Sequence, residues 1–212
     1  MKLRILPLGD SITDGYGVPG GYRWHLGVRL REAGVEVEFL GSLENGPENW
    51  SDRRHEGHSG WRIDQLQQRI QDWLATSDPE LVLLMIGTND MVQEFGVAQA
   101  PARLEQLISM IFQCCPSATL GVATIPPILD FFPVGDVPIG ARLNAQAKAY
   151  NGEVRALLQH LKSKNQAVFL ADAYPVFDTA DLPDGVHPNR AGQEKLGALW
   201  FQRIRETLGG FG

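Results

Sequence analysis

Short apolar runs alternate with longer stretches of helical periodicity along the whole chain. Leu3–Leu8, Val35–Leu40, Leu81–Ile86, Thr119–Ala123 and Ala167–Ala171 read as five strands. The third is unbroken Leu, Val, Met and Ile, the pattern of a strand buried on both faces. Helices are predicted over Tyr22–Ala33, Ile63–Ala75, Gln99–Cys114, Ala141–Lys164 and Asn189–Leu208. Gly34 supplies a stop for the first of them, and Asp78-Pro79 breaks the chain before the third strand. This alternation implies the α/β class, a three-layer α/β/α architecture around a five-stranded parallel sheet. Right-handed crossovers bring the C-terminal ends of the strands to one edge, where ligands of open α/β sheets bind. The loops after strands one, two, three and five are therefore where chemistry is expected. Gly41–Gly60 and Thr124–Gly140 read as the two long irregular stretches, and such loops are disproportionately functional.

Composition narrows the class. The 212 residues include 43% hydrophobic and 21% charged positions, which excludes a collagen-like, coiled-coil or disordered chain. With no composition shift or repeat to mark a boundary, residues 1–212 read as one domain, long enough to bury roughly 70% of its unfolded surface without a disulfide or metal staple. The net charge of −6, with no clustered basic stripe, argues against nucleic acid as a partner. Cys114 and Cys115 are adjacent and are not expected to bridge each other. Leu81–Ile86 is too short to cross a bilayer, so no membrane span is expected. Few residues separate Met1 from Gly9-Asp10-Ser11, leaving no room for a signal-peptide core. The expectation is a cytoplasmic protein on the chain as given, or a secreted one if the chain was trimmed.

Four segments at the expected active edge carry candidate chemistry. Leu8-Gly9-Asp10-Ser11-Ile12-Thr13 follows the first strand, where the Ser11 hydroxyl can face a cleft or cap a helix. Asp184-Gly185-Val186-His187-Pro188 precedes the last helix. Serine needs a base to take its proton, and the base needs a carboxylate to fix its tautomer, so Asp184 and His187 suit those parts. Taken alone they also read as a capping Asp beside a surface His. Asn89, in Ile86-Gly87-Thr88-Asn89-Asp90, can donate to an oxyanion or simply make a turn. Gly60, in His55-Glu56-Gly57-His58-Ser59-Gly60-Trp61, lets a backbone N–H approach a substrate oxygen. Each bland reading stands singly, but together the four segments supply the parts of a serine hydrolase.

These residues resemble an SGNH hydrolase of the GDSL esterase/lipase superfamily, whose four blocks supply Ser, Gly, Asn and His. Here they read GDSIT, GHSGW, GTND and DGVHP, in order, within an arrangement spanning Leu3 to about Leu208. Finer features, LPLGDSITDGYG with GGYR and HEGHSGW before IGTND, are most similar to the carbohydrate esterases that deacetylate xylan. The resemblance implies a flavodoxin-like fold, Ser11 as nucleophile, His187 as base then acid, and Asp184 as its orienting carboxylate. It further implies an oxyanion hole of the Ser11 and Gly60 N–H groups and the Asn89 side chain, an acyl-enzyme, and neither metal nor cofactor.

The remaining candidates are weighed against that reading. His55 and His58 are three apart in a glycine-containing loop, not the four-residue helical spacing of HExxH, so no metal is expected; His55-Glu56 can order the loop instead. His25 and His160 fall in helical patterns. Asp14–Gly21 is glycine-rich but lacks GxxxxGK[ST]. Tyr16, Tyr22 and Trp61 are candidates for a carbohydrate platform, and Arg23, Arg54 and Glu56 suit a hydroxylated leaving group. The expected partner is a small-molecule or carbohydrate ester, acetyl above all. Three rivals stand beside it: a lysophospholipase or thioesterase using the apolar loop Ile125–Ile139, an arylesterase, or a non-catalytic carbohydrate-binding relative. Nothing in the sequence fixes the oligomeric state.

Overall fold

A computed structural model describes residues 2–134 and 137–209. Its strands are β1 (Leu3–Gly9), β2 (Val37–Phe39), β3 (Leu43–Glu44), β4 (Arg54–Gly57), β5 (Leu81–Met85), β6 (Thr119–Ala123), β7 (Pro133–Val134), β8 (Val137–Pro138) and β9 (Val168–Ala171). Its helices are α1 (Ser11–Asp14), α2 (Gly21–Glu32), α3 (Ile63–Gln67), α4 (Ile70–Ser77), α5 (Thr88–Val92), α6 (Ala100–Cys114), α7 (Gly140–Ser163) and α8 (Arg190–Leu208).

The five strands expected from the apolar runs form a parallel sheet in the order β2, β1, β5, β6, β9. The sheet is larger than five strands, however. β2 covers only the first half of β1, with Leu3 opposite Val37 and Ile5 opposite Phe39. β4 pairs parallel with the second half, Leu8 opposite Glu56 and Gly9 opposite Gly57, and β3 adds antiparallel to β4. Both extra strands come from Gly41–Gly60, which reads as irregular. Arg54-His55-Glu56-Gly57 lacks apolar alternation, and its conformation comes from pairing with β1 rather than from propensity. The other long stretch holds the small β7–β8 hairpin.

Strand alternation sorts the core onto two faces. Leu6, Leu8, Val82, Leu84, Leu120 and Val122 meet Ile63, Leu66 and Ile70 of the α3–α4 segment, Leu104 and Leu107 of α6, and Val154 of α7. Ile5, Leu81, Leu83 and Met85 point the other way, against Tyr22, Leu26 and Leu30 of α2 and Leu196, Trp200 and Ile204 of α8. All five residues of β5 are buried, as an unbroken apolar strand requires. Gly34 and Asp78 adopt left-handed φ values of 77° and 42° at the predicted stops. The single helix expected over Ile63–Ala75 is instead two, broken at Gln68–Arg69, although Ile63, Leu66, Ile70, Trp73 and Leu74 keep helical spacing across the break. Cys114 and Cys115 are free thiols. No described helix is long and apolar enough to cross a membrane.

Candidate active site

The site assembles at the C-terminal edge of the sheet, beyond β1, β4, β5 and β9. A Cβ at Gly9 would lie 2.2 Å from the Met85 carbonyl oxygen and 2.5 Å from Thr13 Oγ1, so β1 can turn this tightly beside β5 only with glycine there. Asp10 then caps α1, its Oδ1 accepting from the Ile12 N–H at 3.0 Å. Capping therefore falls to Asp10, which leaves the Ser11 hydroxyl free. Ser11 Oγ lies 2.9 Å from His187 Nε2, and His187 Nδ1 lies 2.7 Å from Asp184 Oδ2. The other carboxylate oxygen of Asp184 accepts the backbone N–H groups of Val186 at 2.9 Å and His187 at 2.7 Å. Burial pushes the Asp184 carboxyl up, but those bonds, the imidazole bond and attraction to His187 outweigh it and hold its pKa below the usual aspartate value.

Gly60 sits at the third position of a turn closed by the Trp61 N–H on the His58 carbonyl at 3.1 Å. Its φ of +81° is the value a type II turn requires there, which favours glycine. Asn89, in the first turn of α5, donates from Nδ2 to the Trp61 carbonyl at 3.0 Å, which fixes its amide beside this turn and leaves one amide hydrogen free. Neither the Ser11 nor the Gly60 backbone N–H donates to any group among the described residues.

A buried polar layer ties the nucleophile turn to β4. Arg23 is fully buried and donates to the Thr13, Asp14 and Arg53 carbonyls and to Asn45 Oδ1; burial lowers its pKa to about 10. Glu56 is also buried, bound to the Ser42 N–H and hydroxyl and to His58 Nε2 at 2.8 Å. Arg23 and Glu56 are therefore structural and face no leaving group, and Arg54 pairs with Glu38 on the surface. His58 stacks on Trp61 and Trp73, with ring centroids 4.2 and 4.8 Å apart. Among the described residues no group of three or more His, Cys, Asp or Glu is placed to hold a metal ion.

His55 accepts the Gly57 N–H on Nδ1, while its Nε2, 3.8 Å from Asp14 Oδ1, has no hydrogen-bond partner. Burial, then repulsion from Arg23 and His58, lowers its pKa to about 3. The unfolded chain takes up this proton near pH ~6.5, so the stability from keeping His55 neutral is full above that pH and drains as pH falls, at about 1.4 kcal/mol per unit. Burial pushes Asp10 the opposite way, up to about 6, so Asp10 gives a stability gain as pH falls from about 6 to 4 that masks part of the loss. The stability difference between wild type and His55→Gln, measured by urea unfolding, should therefore grow from pH 4 to pH 7. A difference flat with pH would mean His55 is not held neutral by the fold.

The three aromatic candidates separate. Tyr16 is 57% exposed and lies on the His187 ring, with centroids 4.5 Å apart. With Val18, Pro183, Pro188 and Asn189 it walls a depression of about 320 Å³ beside Asp184 and His187. Tyr22 is fully buried against Trp200 and cannot form part of a carbohydrate platform, because helical phase turns it into the core. Trp61 is half-buried with His58 stacked on its ring. Two supporting residues escaped sequence reading. Asp90 is buried, binding Arg103 and the Ile63 N–H that starts α3. Gln93 donates to the Gly60 carbonyl at 2.8 Å. Asp90 adjoins Asn89 in the GTND block, whereas Gln93 carries no sequence signal.

A mostly parallel α/β sheet with a Ser–His–Asp hydrogen-bond chain at its carboxyl edge has the arrangement a serine hydrolase needs. Residues 8–195 match the GDSL-like lipase/acylhydrolase family model, and the chain belongs to that family. Among individual proteins, the chain is 32% identical to a multidomain esterase of Ruminococcus flavefaciens over 97% of its own length, but spans only 29% of that relative. Among solved structures it is similar to a family 3 carbohydrate esterase of Clostridium thermocellum, with 31% identity, 98% of each chain covered and a TM-score of 0.83. The family 3 carbohydrate esterase of Talaromyces cellulolyticus shares the fold at 24% identity, with 96% and 97% of the chains covered and a TM-score of 0.81.

Proposed function

We propose that the chain is a serine esterase that removes short acyl groups, acetyl above all, from carbohydrate esters through an acyl-enzyme. The observation that carries this reading is the continuous hydrogen-bond chain from Ser11 Oγ through His187 to Asp184, at 2.9 and 2.7 Å. Ser11 Oγ bonds to the ester carbonyl carbon while His187 Nε2 takes its proton and Asp184 stabilises the imidazolium. The negative charge that develops on the carbonyl oxygen meets the free N–H groups of Ser11 and Gly60 and the free amide hydrogen of Asn89. Collapse breaks the bond to the sugar oxygen, which leaves with the proton from His187. Water then gives its proton to His187 and attacks the acyl-enzyme, releasing the carboxylic acid and restoring Ser11.

Two features favour a small acyl group on a hydroxylated leaving group. In the loop Ile125–Ile139, Ile125 and Ile128 are fully buried in the core, which leaves Phe131 as its one exposed large apolar side chain among the described residues, too little to line a long acyl channel. The depression beside His187, the residue that protonates the leaving oxygen, offers the exposed Tyr16 ring with Asn189 at its wall. The carbohydrate esterase likeness supports the same substrate class. The test is an acyl-length series of p-nitrophenyl esters from acetyl to decanoyl, run beside acetylated xylan. Acetyl esters should be the fastest and acetate should be released from the xylan. Faster turnover of decanoyl esters would favour a lysophospholipase or thioesterase and overturn the acetyl assignment.

A further inference from the structure

The tip of the Gly60 turn has little packed against it, although His58 and Trp61 at its two ends stack together. Gly60 is exposed, and a Cβ added there would meet nothing within 4 Å. Three side chains hold it instead. Asp14 Oδ2 accepts from the Ser59 hydroxyl at 2.7 Å, Gln93 Nε2 donates to the Gly60 carbonyl at 2.8 Å, and Asn89 Nδ2 donates to the Trp61 carbonyl at 3.0 Å. Asn89 and Gln93 are four residues apart at the two ends of α5, so their amides project onto the same stretch of loop. The sense of the Gln93 amide is fixed. Arg62, which has only donors, gives Nη1–H to Gln93 Oε1 at 2.6 Å, so the Gln93 NH₂ group must be the end facing Gly60.

We infer that Gln93 is a positioning residue for the oxyanion hole: its hydrogen bond to the Gly60 carbonyl keeps the neighbouring Gly60 N–H aimed at the reacting oxygen. The inference rests on the esterase reading, in which that N–H is an oxyanion donor. An exposed glycine with no neighbours has more conformational freedom than any other residue, so a donor placed on it must be held from outside. The bond matters most when charge has developed on the substrate oxygen. Its loss should therefore lower kcat and leave ground-state binding alone.

Three variants of the full chain separate this role from its alternatives, with p-nitrophenyl acetate as substrate. Gln93→Glu keeps the acceptor for Arg62 but presents no donor to Gly60. Gln93→Leu removes both functions. Gln93→Lys restores a donor and gives up the contact with Arg62. Gln93 lies on the surface, so all three should fold with a Tm within a few degrees of wild type. Loss of one neutral hydrogen bond should lower kcat about 3- to 10-fold in the Glu and Leu variants with KM unchanged, and the Lys variant should keep more activity than Glu. Wild-type kcat in the Glu and Leu variants would overturn the inference. So would a Glu variant more active than Lys, because the Arg62 contact would then be what counts. Ser11→Ala, run in the same assay, separates the two levels. Turnover independent of Ser11 overturns the esterase reading and this inference with it, whereas Ser11-dependent turnover indifferent to Gln93 overturns the inference alone.

Discussion

Ser11→Ala should abolish ester turnover while leaving the fold and its Tm intact. The side chain removed makes one hydrogen bond, to His187, because the cap of α1 is supplied by Asp10. No buried group of the core loses a partner. In a serine protease of unrelated fold, losing the nucleophile cost about 10⁶-fold in kcat, and a loss of at least ~10⁴-fold is expected here. The check is a pair of measurements, hydrolysis of p-nitrophenyl acetate and labelling by a serine-directed phosphonate. The label should land on Ser11 in wild type and on nothing in the variant. Labelling at another serine, or an alanine variant with wild-type activity, would remove Ser11 from the mechanism.

Asp184→Asn should be nearly as damaging, for a reason visible in the loop. The backbone N–H groups of Val186 and His187 both donate to the Oδ1 position, so only an oxygen can sit there. The new amide is thereby forced to turn its NH₂ toward His187 Nδ1. That nitrogen must then accept, which puts the imidazole proton on Nε2, facing Ser11, where it can no longer take the serine proton. The corresponding exchange in a Ser-His-Asp protease cost about 10⁴-fold, and a similar loss is expected here. Asp184 is held below the usual aspartate value by its bonds to Val186 and His187, so wild type keeps this carboxylate ionised throughout the neutral and alkaline range. The loss in the Asn variant should therefore persist from pH 6 to pH 9. A variant that regains wild-type kcat at high pH would show that the tautomer is not set by this side chain.

The sequence announced what repeats along the chain and hid what depends on a distant partner. The continuous apolar run Leu81–Ile86 needs no context to be a central strand, and the structure bounds β5 at Leu81–Met85. The four block motifs were legible because each turn needs particular residues, and the structure brings Ser11, His187 and Asp184 into one hydrogen-bond chain. β4 was hidden because His55 and Glu56 look like loop residues until Gly57, Ser42 and His58 satisfy them. Arg23 misled for the same reason: a guanidinium is buried only where carbonyls converge on it, here from Thr13, Asp14 and Arg53. Tyr22 misled differently, since an aromatic ring looks the same in a list of residues whether a helix turns it inward or outward. The break at Gln68–Arg69 has neither glycine nor proline to mark it, and periodicity runs through it unchanged.

The hydrogen bond between Ser11 and His187 joins positions 176 residues apart. α2 rests on α8, and Gln193 of α8 reaches across to the Tyr22 N–H at 2.9 Å. In chain order the nucleophile comes with the first strand of the sheet and its base only after the last. Closing so long a loop is entropically unfavourable, and burial of Leu196, Trp200 and Ile204 of α8 against Tyr22, Leu26 and Leu30 of α2 opposes that cost. A fragment that stops short of Asp184 thus carries Ser11 without its hydrogen-bond partner, and the Ser–His–Asp chain forms only once α8 has met α2.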